Sequence, residues 1–227
     1  MRIESVPDKR KPSKAARILA TFVSNLKIDD LNSEIIRHAT LVARDTLGAM
    51  LAGSTLPEIR NLANWAVAAG GVGKSSLMAK PATVPASLAA LVNATGAVSL
   101  ELDEGNQYAV NHPAVHIFPA ALAIAEECNT SGSELVTALV AGYEVAVRVG
   151  RSTHLRDPVH PFGTHATIGT AAATARLLNL GETQIAEALE LSAGVCIASS
   201  QTAANAGASV RNLATGFTNH NGLLAPL

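Results

Sequence analysis

The stretch SGSELVTALVAGYEVAVRVGRSTHL, residues 131–155, decides the fold because it predicts one long helix with its own start signal. Ser131 followed three residues later by Glu134 is a capping-box pattern, in which both side chains accept backbone N–H groups at the start of a helix. Other helical patterns, rich in small residues, lie at 15–25, 29–53, 57–71, 83–100, 119–129, 163–181 and 181–199. No run alternates with period two for long, and no hairpin dipeptide separates strand-like runs. The sequence therefore predicts an all-α fold, a multi-helix bundle of small-residue-rich helices.

Individual residues predict further details of these helices. Gly48 is compatible with close helix packing and Gly53 with a helix C-cap. Pro119 is expected near the start of its helix, and Thr183 could cap the start of another.

The two ends of the chain differ from its middle. Residues 1–13 are rich in proline and lysine and are expected to be mobile, so the helical domain covers residues 14–227. The last residues, NHNGLLAPL, resemble the start of an apolar helix. We therefore expect the domain to be incomplete at this end.

The composition excludes several classes of function. Of the 227 residues 48% are hydrophobic and only 15% are charged, which suggests that a partner subunit or a missing part covers a further surface. The net charge of −1 and the 3% aromatic content argue against nucleic-acid binding. No secretory signal and no twenty-residue apolar run is present, so a membrane span is not expected. Cys128 and Cys196 lie far apart and match no metal spacing, which is typical of reduced thiols in a cytoplasmic protein.

The stretch AAGGVGKSS, residues 68–76, partly matches a phosphate-binding loop. Gly73, Lys74 and Ser75 fit the motif, but Ala68 stands where its first glycine belongs. The loop also leaves a helical pattern rather than a strand. A helix C-cap followed by a loop is the better interpretation, and we expect no nucleotide binding.

The stretch ELDEGNQYAVNHPAVH, residues 101–116, concentrates acids and imidazoles in a chain that is poor in charge. DEGNQ is typical of a solvated turn, and on that interpretation His112 merely ends a loop before Pro113. The alternative is a site, since a carboxylate beside an imidazole fixes its tautomer and raises its basicity. The residues alone leave both interpretations open.

A second histidine–proline pair lies in RDPVHPFGTHATIGTAAATARLL, residues 156–178. His160 precedes a proline, and the loop then enters a Gly/Thr-rich helix start, where free N–H groups favour an anion. His165 is expected to be a polar residue in the first helical turn rather than a catalytic group. A surface position is expected for His154.

Together, residues 90–127, the GYEVAVRVG helix and the HPFGT…GTAAATARLL block resemble the MmgE/PrpD family over about residues 15–227. That family includes 2-methylcitrate dehydratase, cis-aconitate decarboxylase and iminodisuccinate epimerase. The resemblance implies a large helical domain plus an α/β lid that this chain does not contain, with the active site between them. It also implies a homodimer and chemistry that uses no metal and no organic cofactor.

The resemblance also implies a set of site residues. The acid cluster matches Glu101, Asp103 and Glu104, and the histidines of the two family HP pairs match His112 and His160.

A later family segment, typically Lys-Arg-Leu-His-x-Gly, matches RNLATG, residues 211–216. Arg211 therefore replaces a lysine and Ala214 a histidine, while Gly105 stands where some members carry a threonine. These departures favour a different di- or tricarboxylate substrate, or an epimerisation, over the dehydratase and decarboxylase reactions.

The expected chemistry is proton abstraction next to a carboxylate. His112 and His160 are the expected base and acid, in either order, and Asp103, with Glu101, would orient an imidazole or a water molecule.

The expected substrate-binding groups lie in several parts of the chain. Arg211 and the helix-start N–H groups near Thr164 would hold substrate carboxylates, and His165 and Glu104 complete the set. The non-enzymatic alternative is an inactive helical fragment or an oligomerisation scaffold.

Overall fold

The computed structural model describes residues 11–227, and it is helical, as predicted. The two strands are Ser75–Ser76 (β1) and Thr83–Val84 (β2), and a short 3₁₀ turn covers Ile28–Asp30. The helices are Lys14–Asn25 (α1), Ser33–Gly53 (α2), Pro57–Gly70 (α3), Ala86–Val98 (α4), Pro113–Cys128 (α5), Gly132–Arg151 (α6), Ala166–Leu177 (α7), Glu182–Gly194 (α8), Gln201–Asn205 (α9) and Val210–Leu224 (α10). The all-α prediction is confirmed.

Helices α4, α5 and α7 form the centre of the bundle, because nearly all of their residues are buried. Helix α10 packs against all three, and α6 packs against α5 and α7. Most of the buried hydrophobic residues are alanines, so these helices can lie close together. At the α6–α7 crossing, a Cβ on Gly142 would lie 2.6 Å from the carbonyl oxygen of Gly169. Only glycine allows this approach of two backbones.

Several local predictions are corrected by the structure. Gly53 is the close-packing glycine, since a Cβ there would lie 1.9 Å from the carbonyl oxygen of Gly96, whereas Gly48 faces open space. Gly181, not Thr183, is the N-cap residue of α8. Ser131 caps α6 as predicted, but Glu134 does not complete the capping box because its carboxylate faces Arg176 at 3.3 Å.

The segment after α3 forms a small hairpin that the sequence did not predict. Ser75 pairs with Val84 and Ser76 with Thr83, and strands of two residues are too short to show an alternating pattern. The loop with Lys74 therefore joins a helix to a strand, the reverse of a phosphate-binding loop, and Gly71 is the C-cap of α3 as expected.

Two further sequence predictions concern the start of the chain and membrane spans. Residues 1–10 of the predicted mobile segment lie outside the described residues, and Ser13 caps the start of α1. Among the helices of residues 11–227, none has the length and apolar character needed to cross a bilayer.

Helix α5 begins at Pro113, earlier than predicted, and Pro119 lies inside it. Proline has no N–H to donate to the carbonyl four residues before it, here Val115. Asn219 on α10 supplies the missing hydrogen bond. Its Nδ2 donates to the Val115 oxygen at 2.9 Å, and its Oδ1 accepts from Ala120 N at 3.0 Å. One side chain therefore fixes the first turns of α5, which carry His112 and His116.

We expect Asn219→Ala to lower the free energy of unfolding by about 2–5 kcal/mol, because it leaves two buried backbone groups unpaired. In a Pro119→Ala background, the backbone N–H gained at position 119 can donate to the Val115 oxygen. Asn219→Ala should then lower the free energy of unfolding by about half as much. Urea unfolding of the four proteins in this double-mutant cycle measures both costs. An equal loss of unfolding free energy in the two backgrounds would contradict the inference that Asn219 compensates for the missing N–H of Pro119.

Candidate active site

The acidic turn, residues 101–112, is folded by its own asparagines. The backbones of Asn106 and Asn111 pair with each other, and the Asn106 carboxamide oxygen accepts the N–H groups of Tyr108 and Ala109 at 3.0 Å. The Asn111 carboxamide oxygen accepts His112 N at 2.8 Å. These bonds hold His112 at the point where the turn enters α5.

Asp103 and His112 form a hydrogen-bonded pair, with Oδ2 and Nδ1 2.7 Å apart. The Asp103 side chain has no exposed surface, whereas that of His112 is 35% exposed. A carboxylate only accepts, so Nδ1 of His112 carries the proton and Nε2 is left as the accepting atom. The bond to Asp103 raises the pKa of His112 above its ordinary value of 6.5, and burial opposes part of that rise. This is the geometry of an oriented general base.

Gly105 lies beside the accepting atom of His112. A Cβ at this position would be 3.7 Å from Nε2. A larger residue here would therefore contact the imidazole, so the glycine leaves this side of the ring open.

His160 lies in a second loop that is held in place by residues 197–199. The backbone N–H of His160 donates to the Ser199 carbonyl oxygen at 2.9 Å, and the backbone N–H of Ile197 donates to the Gly163 carbonyl oxygen at 2.7 Å. The Nδ1 atom of His160 accepts from Phe162 N at 3.1 Å, so the neutral ring carries its proton on Nε2. Burial, followed by the nearby charges of Arg211 and His112, lowers the pKa of His160 to about 4.

The ring of Phe162 is the place where the two loops meet. Its centroid lies 5.3 Å from that of His112, 4.6 Å from that of His160 and 4.7 Å from that of His116, each in an edge-on arrangement. The guanidinium carbon of Arg211 lies over the same ring at 4.5 Å. The structure therefore brings His112, His160 and Arg211 into one cluster. We call these three residues and Phe162 the imidazole cluster.

Glu101 forms an ion pair with Arg211 and not with an imidazole. Its two carboxylate oxygens pair with the two terminal nitrogens of Arg211, one of them at 3.0 Å. Arg211 is therefore not an unpaired cation, and the orientation of His112 depends on Asp103 alone.

Glu104 is occupied by bonds within the protein. Its Oε1 accepts from the Tyr143 hydroxyl, and its Oε2 accepts from Ala114 N at 3.1 Å in the first turn of α5. Burial raises the pKa of Glu104, and burial beside this carboxylate also raises the pKa of Tyr143. The geometry gives Glu104 a bracing position under the acidic turn, with each of its oxygens already accepting a hydrogen bond from the protein.

Thr164 and His165 connect the two loops from the inside. Asn111 Nδ2 donates to His165 Nε2 at 3.0 Å, His165 Nδ1 lies 3.2 Å from the Thr164 hydroxyl, and that hydroxyl donates to the Pro161 oxygen at 2.5 Å. Both residues are buried, and burial lowers the pKa of His165 to about 4. Their polar atoms are used within this chain of bonds, so the structure does not present them to a substrate.

Three residues of this region were not among the predicted site residues. They are Phe162, Tyr143 and His116, whose Nδ1 donates to the His112 oxygen at 2.7 Å and whose pKa falls to about 3 because the ring is fully buried. The position of His116 four residues after His112 on a helix is the one sequence signal that places it on the same face. Phe162 and Tyr143 give no comparable signal, because isolated aromatic residues usually indicate core packing.

A separate groove of about 650 Å³ runs between α1, α2 and α6. It is mainly apolar, and the acidic turn contributes Asn106 to its lining. The Asp103–His112 pair and Arg211 lie in or beside the imidazole cluster and not in this groove. Within residues 11–227, no three His, Cys, Asp or Glu side chains are grouped closely enough to hold a metal ion.

The model of the MmgE/PrpD N-terminal domain matches residues 17–227. The chain belongs to the MmgE/PrpD family. This membership confirms the resemblance drawn from the acid cluster and the two HP pairs, and it extends over nearly the whole described part of the chain.

Curated relatives within the MmgE/PrpD family are cis-aconitate decarboxylases. The human protein is 27% identical over 86% of this chain, the Aspergillus terreus protein 25% over 91%, and the mouse protein 26% over 86%. The chain covers 40%, 44% and 40% of their respective lengths. It therefore corresponds to less than half of each relative.

The tautomers and pKa directions predict the order in which the imidazoles of His112, His160 and His165 take up protons. As the pH falls, His112 should take up a proton first, above pH 6.5. His160 and His165 should remain neutral until near pH 4, because burial disfavours their charged forms. Long-range ¹H–¹⁵N spectra of the imidazole rings measure both the order and the tautomers. Protonation of His160 before His112 would contradict the assignment.

Proposed function

We propose that this chain is the helical part of a lyase or isomerase that transfers a proton at the carbon next to a carboxylate of a small di- or tricarboxylate. The observation that carries the proposal is the Asp103–His112 pair, whose remaining nitrogen is free to accept a proton beside His160 and Arg211. Family membership and the named activity of the relatives support an enzyme over an inert scaffold.

In this proposal His112 is the base. A C–H bond next to a carboxylate is a very weak acid, so the base must be oriented and the resulting negative charge must be neutralised. Nε2 of His112 takes the proton, and the electron pair of the C–H bond moves into the adjacent carboxylate to form an enediolate. Asp103 stabilises the imidazolium that forms.

His160 acts as a neutral hydrogen-bond donor. Its lowered pKa keeps it uncharged near neutral pH, and its proton is on Nε2 because Nδ1 accepts from Phe162 N. A neutral imidazole donates to a developing oxyanion without giving up its proton. The proposal therefore takes His112 as the base and His160 as the donor, an order that the sequence left open.

The fate of the proton distinguishes the possible reactions. In a dehydratase, the His112 imidazolium would give the proton to a departing β-hydroxyl, which leaves as water. In an epimerase, a second group would return a proton on the opposite face. A decarboxylase would remove no C–H proton: loss of CO₂ leaves a carbanion, which a His112 imidazolium that took its proton from water would protonate. Arg211 and Ala214, which replace a lysine and a histidine, favour a substrate or reaction different from that of the best-known members.

Deuterium uptake tests the proposed base directly. Incubation of the protein with small di- and tricarboxylates in D₂O should introduce deuterium at a C–H position of one of them, as followed by ¹H NMR. His112→Ala should lower the rate on the order of 100-fold or more, because a positioned general base is lost. His154→Gln, at an exposed histidine outside the cluster, is the matched control. A His112→Ala protein that exchanges as fast as this control would remove His112 from the mechanism.

The pH dependence of kcat/KM gives a second test. The base must be unprotonated, so activity should fall as the pH drops through the raised pKa of His112. In Asp103→Asn the largest cause of that rise is gone, and the acidic limb should move to lower pH. The maximal rate should also fall, since the charge that stabilises the imidazolium is lost. An acidic limb at the same pH in both proteins would exclude His112 as the group that titrates.

A further inference from the structure

Arg211 is a fixed guanidinium with an exposed partner. Its side chain is only 11% exposed and lies over the ring of Phe162, itself 2% exposed. A cation over an aromatic face is held electrostatically as well as sterically. The start of α10 also binds the neighbouring segment, since Asn212 Nδ2 donates to the Ser99 hydroxyl at 3.4 Å. The position of the guanidinium is therefore determined by the protein interior.

Glu101, in contrast to Arg211, is largely exposed to water. Its side chain is 65% exposed, and Arg211 is the group that both of its oxygens contact. Its backbone has φ of 54°, in the left-handed region that residues with a side chain rarely occupy. A carboxylate that is exposed to water and carried on an unfavourable backbone can leave its partner at low cost. Only the carboxylate side of this pair is exposed, so water solvates Glu101 when it is released while the guanidinium stays in place.

We propose that Glu101 is a resident anion on Arg211, the expected carboxylate-binding group, and that a substrate carboxylate replaces it there by exchange. This inference rests on the proposed function, because it names how that site recognises its substrate class. The two-nitrogen contact made by Glu101 shows the bidentate geometry that an incoming carboxylate would adopt. Because Arg211 and His112 contact the same ring, a carboxylate on Arg211 lies beside the base.

The exchange also gives the site a chemical preference. A ligand with one carboxylate gains little by replacing another carboxylate at Arg211. A ligand with two or three carboxylates can bind Arg211 with one of them and use the others elsewhere. Glu101 therefore acts as a competitor that disfavours simple monocarboxylates.

Equilibrium binding of succinate, a plain dicarboxylate, tests the exchange. Glu101→Gln removes the competing charge and should tighten succinate binding by at least about twofold, because no carboxylate then has to be displaced from Arg211. Arg211→Gln should weaken binding by more than about tenfold, because the bidentate partner is lost. Glu144→Gln is the matched control, since it removes one negative charge from an exposed pair with Arg148 on α6 and should leave the affinity unchanged. Calorimetry on the protein and these three variants gives the dissociation constants.

Tighter binding in Glu101→Gln combined with weaker binding in Arg211→Gln supports the proposal. Unchanged or weaker binding in Glu101→Gln overturns it, as does succinate binding that is undetectable in all four proteins. An equal gain in Glu144→Gln also overturns it, because the gain would then reflect net charge alone. The measurement requires no turnover, so a His112→Ala protein that binds succinate but exchanges no deuterium separates this subsite from the proposed catalysis.

Discussion

The ring of Phe162 is the constraint on which the candidate site depends. Two loops, 48 residues apart at His112 and His160, reach the same aromatic side chain, and α10 brings Arg211 over its face. The ring cannot move freely, because Gly163 beside it has φ of 93° and its carbonyl accepts Ile197 N. A Cβ at Gly163 would lie 2.7 Å from the Ile197 oxygen, so this tight loop requires glycine. The position of the cluster therefore follows from a backbone contact between the second loop and the segment after α8.

The small residues of the bundle make this convergence possible. Helices α5, α6 and α7 lie close together because alanine and glycine occupy their contacts, and both HP loops enter the bundle at the starts of α5 and α7. Two side chains then fix α5 relative to its neighbours. Asn219 pairs the groups left free around Pro119, and Thr170 donates to the His116 oxygen at 2.5 Å. Close helix packing and buried polar pairing therefore determine the direction of the start of α5, where His112 is the N-cap residue.

Sequence patterns predicted the parts of this structure that depend on local chemistry. The helices up to α8, the Ser131 cap and the helix-to-loop character around Lys74 follow from short-range signals. The expected start of an apolar helix at NHNGLLAPL was wrong, because α10 begins at Val210 and ends at Leu224. The start of α5 was misplaced, because the proline at 119 is tolerated only through Asn219, which is 100 residues further along the chain. The same limit applies to the site. The candidates His112, His160 and Arg211 were recognisable by residue type and family resemblance, but the pairing of Glu101 with Arg211 depends on a contact between distant segments.

The concentration of acids in the turn has a separate physical reason for each carboxylate. Asp103 is fully buried and pairs with His112, Glu104 is mostly buried and accepts from Tyr143 and Ala114 N, and Glu101 is exposed and pairs with Arg211. Burial and exposure therefore divide three similar side chains into an orienting group, a bracing group and an exchangeable one. The exposed acid is the only one of the three whose partner is a permanent cation. A ligand with two or three carboxylates would thus meet two different environments. At Arg211 the exposed carboxylate of Glu101 can be displaced, whereas at His112 the buried carboxylate of Asp103 stays in place.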